Sequence, residues 1–160
     1  MFVVACLAIA APVHADGTTD AQAERNGLLH KAWGDAPPPS FYIGMWTRHL
    51  THTGIGNNDS VGGSWHGLFG GTFVNSYHTR SYAVGLERRV AGRRSGPITI
   101  NAGYRLGVIR GYDRRLLAVA GKVPAVPFIQ VTGDAMLKNR FGVQASFCVK
   151  VVTWGGVVRF

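Results

Sequence analysis

Side chains capable of proton transfer or nucleophilic attack gather in two short stretches of this chain: His49, His52, Asn57, Asn58 and Asp59 in one, Asn75, Ser76 and His78 in the other. A hydroxyl becomes nucleophilic, or delivers a proton, only beside a base, and imidazole suits that work near neutral pH. His49 and Ser76 are the pair that supplies both parts, with the Asn75 amide able to orient a base or donate to an oxyanion. The same spacing is met by His, Ser and Asn as solvated loop residues. Other chemistries have no foothold. The sequence holds no Gly-rich phosphate loop with its Lys, no His-Glu-x-x-His, no G-x-S-x-G elbow and no pair of closely spaced Cys, so neither a metal nor a cofactor is expected.

The elements that must position these residues show in the alternation of apolar and polar side chains. Ile98, Ile100, Ala102, Tyr104, Leu106 and Val108 interleave with Thr99, Asn101, Gly103, Arg105 and Gly107, and Phe141, Val143, Ala145 and Phe147 with Gly142, Gln144, Ser146 and Cys148. A period of two places each set on its own face of a strand. Segments of this kind fall at 41–51, 58–65, 68–76, 80–91, 97–110, 123–133, 140–149 and 152–160. Eight such strands, joined alternately by short turns and longer loops, predict an all-β fold: an eight-stranded antiparallel transmembrane β-barrel of the outer-membrane kind, closed so that no apolar edge is exposed. The stretch from Thr153 to Phe160 resembles the outer-membrane assembly signal, with a polar residue, a glycine two on, and hydrophobic residues at the third-last and last positions. Setting that end in the periplasm makes 66–67, 92–96 and 134–139 periplasmic turns. It makes 52–57, 77–79, 111–122 and 150–151 extracellular, so His49, Asn75 and Ser76 share one rim.

Upstream of the strands, Met1 to Val13 is apolar but shorter than the roughly 20 residues of a spanning helix, and Val13-His14-Ala15 has small residues where signal peptidase cuts. The expectation is a signal peptide over 1–15, an amphipathic helix and Pro-rich connector over 16–40, and the barrel over 41–160. Thr19 and Gln22 form a capping box, Leu28, Leu29, Ala32 and Trp33 share a helix face, and Pro37-Pro38-Pro39 forbids continuation. Loss of Cys6 with the signal would leave Cys148 alone, hence no disulfide. The formal charge of +9 calls for an anionic partner. For a secreted chain, lipid headgroups and lipopolysaccharide phosphates fit better than nucleic acid, with solvated arginines at turns the plain alternative.

Three segments resemble the lipid A palmitoyltransferase family. Ser64-Trp-His-Gly-Leu-Phe-Gly-Gly-Thr-Phe-Val-Asn-Ser-Tyr77 is similar to that family's W-H-G-L-Y-x-x-x-F-x-D-S-W stretch. Tyr42-Ile43 with His49 matches its Y-I and catalytic histidine, and Gly103 to Val131 looks like the strand, long loop and Pro-flanked strand that follow there. The resemblance implies a monomeric outer-membrane acyltransferase that moves an acyl chain from phospholipid to lipid A. His49 then takes the catalytic histidine's place, Ser76 the serine's and Asn75 that of an aspartate, while Arg114 and Arg115 in the basic long loop are expected to hold phosphates, with Asp113 beside them as a further substrate-binding residue. Glu87 falls where the family keeps a small residue at the floor of its acyl pocket, and a buried carboxylate there shortens or closes a hydrocarbon slot. A lipid A deacylase-like hydrolase and a non-catalytic lipid-binding or structural barrel are the alternatives. An apolar slot reaching down from His49 favours catalysis, and a core plugged by Glu87, Arg89 and Arg105 favours the latter.

Overall fold

A computed structural model describes residues 27–50, 55–75, 78–111, 125–148 and 151–160. A short helix α1 over 27–33 precedes β1 (Ser40–His49), β2 (Ile55–Asn57), β3 (Val61–Trp65), β4 (Leu68–Val74), β5 (Arg80–Ser95), β6 (Ile98–Arg110), β7 (Ala125–Leu137), β8 (Phe141–Cys148) and β9 (Val151–Arg159). β1 pairs antiparallel with both β2 and β3, each strand from β3 to β8 pairs antiparallel with the next, and β1 closes the sheet on β9 from Ser40↔Arg159 to His49↔Val151. β2 and β3 lie along one side of β1 as a single stave interrupted at 58–60, so the closed barrel has eight staves.

The interruption sits opposite a bulge in β1. Between Ile43 and Trp46 the register against β9 slips, and Gly44 takes φ 70°, a left-handed value that glycine adopts without a Cβ penalty. There Gly44 N donates to Ser60 O and Asn58 N donates to Met45 O, both at 2.8 Å. One extra residue reverses the alternation beyond it, so that Thr47 and His49 face inward as Tyr42 does below.

Polarity is inverted relative to a barrel in water. Ile43, Trp65, Leu68, Val84, Ile100, Ile129 and Val143 point outward, each more than half exposed, whereas Ser40, Thr47, Ser64, Ser81, Glu87, Asn101, Arg105, Thr132, Ser146 and Arg159 are buried inside. Among the described residues the buried hydrophobic side chains are only Ala83, Met136 and Val157.

Two strands run further than their sequences suggest. β5 continues through Gly92, Arg93 and Arg94 to Ser95, and the turn is Gly96-Pro97, with Gly96 at φ 58°. Glycine at the first central position is what a tight hairpin of the II′ kind needs. β7 continues through Asp134 to Leu137, and the turn there is Lys138-Asn139, at φ 50° and 55°, closed by Arg140 N donating to Leu137 O at 3.0 Å. The expected turns at 92–96 and 134–139 therefore begin too early, because Arg93, Arg94 and Ser95 are exposed strand residues and Asp134 is a strand residue paired in the interior. The His66-Gly67 turn falls where expected, both residues at positive φ.

α1 is pinned to the outside of the barrel at the short-turn end. Tyr104 Oη donates to Trp33 O at 2.9 Å, the Arg88 guanidinium lies 4.8 Å from the Trp33 ring centroid, and Asp35 bridges antiparallel to Arg89. Leu28 and Leu29 remain exposed. The part of the expected helix before residue 27, and the expected signal segment, lie outside the described residues.

Candidate functional site

The interior divides into a polar floor and an open upper chamber. In the floor, the Glu87 carboxylate accepts from Tyr42 Oη at 2.7 Å, from Arg105 Nη2 at 3.1 Å and from Gln144 Nε2 at 3.4 Å. Ser64 Oγ lies 3.1 Å from Tyr42 Oη, and the Arg105 guanidinium stacks 4.3 Å from the ring centroids of both Tyr42 and Phe69. Nearer the short-turn end a second ion pair joins Arg159 to Asp134 at 2.9 Å, with Asn101 Nδ2 donating to the same carboxylate at 2.6 Å. Arg89 lines a small crevice with Pro37, Asn101, Thr132 and Asp134 near this second pair. Charges buried this way persist only where each has a partner, so the lower barrel is a packed plug and not a pore.

Above Arg105 the barrel opens into a cavity of about 390 Å³. Met45, Phe69, Phe73, Ala83, Ile109 and Phe128 give it an apolar wall; Thr47, Gln130, Gln144, Ser146, Cys148 and Thr153 give it a polar one, and His49 and Asn75 stand at its upper end. Eight-stranded barrels are normally just filled by their side chains or hold one small ligand, and this one has room for a ligand in its upper half. Among the described residues, no β7–β8 pair is formed beside Gln130 and Cys148. The β7–β8 ladder ends at Val131↔Phe147, so Ala125–Gln130 pair only with β6 among the described residues. Pro127 is tolerated in that stretch because a strand with one neighbour need not donate on both sides.

Of the residues singled out from sequence, His49 and Asn75 both reach the cavity. His49 is half-buried, carried inward by the bulge at Gly44, and level with Val151 of β9, which in turn pairs with Cys148. Asn75 is 3% exposed, and its amide is committed to structure: Nδ2 lies within 2.7 Å of Thr79 Oγ1 and 2.9 Å of both Ser81 Oγ and Gly111 O, while Oδ1 accepts from Thr79 N at 3.2 Å. Three acceptors surround two amide hydrogens, so Asn75 staples the β4–β5 connection to the end of β6. Asn75→Asp is expected to lose about 1–3 kcal/mol in urea unfolding, because a carboxylate faces the Gly111 carbonyl with no hydrogen to give. Ser76, Asp113, Arg114 and Arg115 lie outside the described residues.

Sequence reasoning did not single out Thr47, Ser146 and Thr153 or the tie from Tyr42 to Glu87. The signal for them was the inward phase of each strand, visible in β8 and β9 but hidden in β1 by its bulge.

No protein-family model matches the chain, and no curated protein sequence does. Among solved structures, a β-barrel-like protein from Acinetobacter baumannii aligns over 78% of this chain and 94% of its own, at 14% identity and a TM-score of 0.21.

Proposed function

We propose that the chain is an outer-membrane barrel that draws one acyl chain of a phospholipid into its upper cavity and transfers it to a hydroxyl of lipid A at the His49 rim. The observation that carries this reading is the cavity itself: a half-apolar chamber leading up to an imidazole, inside a barrel whose outward side chains suit hydrocarbon rather than water. Closed barrels are the β form that leaves no unpaired backbone in a bilayer. On this reading the chain enters beside Gln130 and Cys148, where no β7–β8 pair is formed among the described residues.

In the transfer, the acceptor hydroxyl attacks the ester carbonyl, His49 takes the hydroxyl proton, and the lysophospholipid alkoxide leaves with a proton returned from the imidazole. Ser76, next in sequence to Asn75, is the hydroxyl that the family resemblance assigns to this chemistry, and Arg114 and Arg115, with Asp113, belong to the loop it assigns to the substrate headgroups. The commitment of the Asn75 amide to its own loop favours the second reading, a barrel that binds an acyl chain without transferring it. Mass spectrometry of lipid A from cells with and without the protein separates the two. The transfer reading expects a new species heavier by one acyl chain, and an unchanged lipid A profile leaves only the binding reading standing.

A further inference from the structure

We infer that the chain held in the upper cavity carries a hydroxyl group in the half of its length nearer the carbonyl, so that the ligand is a hydroxylated acyl chain; this rests on the acyl-chain reading of the cavity. Thr47, Thr153 and Ser146 stand side by side on β1, β9 and β8, in register as Thr47↔Thr153 and Ser146↔Thr153, and all three line the chamber. Thr47 and Ser146 are buried, at 5% and 8% exposure. Their mutual bonding is incomplete. Ser146 Oγ and Thr153 Oγ1 bond to each other, using one of two hydrogens, and Asn58 Nδ2 donates into Thr47 Oγ1 at 2.6 Å. Two hydroxyl hydrogens therefore have no acceptor among the described residues.

A plain methylene chain against this row would bury those hydroxyls from water and give them nothing in exchange, which is unfavourable. A chain bearing its own hydroxyl supplies both an acceptor and a donor. The row also fixes where that hydroxyl lies. Thr47 is two residues from His49 on the same face of β1, a separation of about 6–7 Å along the strand. With the carbonyl at His49, the group that meets the row is at about the sixth carbon of an extended chain, and the rest of the chain runs on past Phe69 and Phe128 to the Arg105 floor.

The test uses the full chain folded in detergent micelles and three probes of equal length: tetradecanoic acid, its 6-hydroxy derivative and a derivative hydroxylated at the penultimate carbon, with binding followed by calorimetry. The 6-hydroxy acid is expected to bind about tenfold more tightly than the plain acid, the worth of roughly one net hydrogen bond. The penultimate derivative should show no such advantage. In Ser146→Ala/Thr153→Val the preference should fall to about one, with Thr47→Val as a second, single-site variant. Equal binding of the plain and 6-hydroxy acids, or a preference that survives in these variants, overturns the inference and leaves the acyl-chain reading intact. Failure of all three acids to bind overturns both.

Discussion

Glu87→Ala destabilises the folded barrel by about 3–5 kcal/mol, the usual consequence of removing one partner from a buried ion pair. Glu87 and Arg105 are both under a tenth exposed, and the carboxylate is also the acceptor for Tyr42 Oη and Gln144 Nε2. Its loss leaves a guanidinium between two aromatic rings with no counter-charge. Removing both charges together behaves differently: Glu87→Leu/Arg105→Met recovers most of the loss, since a buried pair replaced by apolar groups of similar volume is often neutral or stabilising. Unfolding in urea, followed by tryptophan fluorescence of the protein in detergent, measures both. A shift below about 1 kcal/mol for Glu87→Ala would mean that solvent reaches the pair and that the floor is not sealed. On the acyl-chain reading the double variant has a second consequence, because Arg105 is the lower limit of the cavity. With floor and counter-ion both apolar, longer chains should bind better than they do to the unaltered protein.

His49→Ala lowers acyl transfer by about 10²–10⁴-fold if the imidazole moves the proton in the rate-limiting step. The side chain is half-buried at the cavity's upper end and takes no part in the Glu87 or Asp134 networks that hold the barrel together. The loss of stability should therefore be smaller than for Glu87→Ala, since the Glu87–Arg105 and Asp134–Arg159 pairs stay intact. The measurement is transfer of a labelled acyl chain from phospholipid vesicles to purified lipid A, with the variant's unfolding midpoint recorded alongside. A variant that keeps its full rate removes His49 from the chemistry and returns the cavity to a binding role. A rate lost together with several kcal/mol of stability would assign His49 to structure.

Alternation along the chain was enough to establish that this is a barrel of eight staves. In Ile98 to Val108 and Phe141 to Cys148 every second residue is apolar, and a strand whose two faces meet different surroundings leaves that period of two in its sequence. The His66-Gly67 turn was equally legible, since only a few residue pairs accept two left-handed conformations in succession. His49 and Asn75 were assigned to one rim by strand parity alone, and they do meet the same cavity.

Tertiary structure decided what parity could not. Asp134 looked like a turn residue until its partner appeared, because a carboxylate inside a strand is accountable only by Arg159 and Asn101 across the interior. The tie from Tyr42 to Glu87 spans 45 residues of sequence, and no local pattern encodes it. The bulge at Gly44 reverses which residues of β1 face inward, so reading strict alternation from Tyr42 would have turned His49 out of the barrel. Local periodicity records which face a strand buries. The depth of the cavity, the sealing of its floor and the direction of the Asn75 amide depend on distant strands, and they exist only once the sheet has closed.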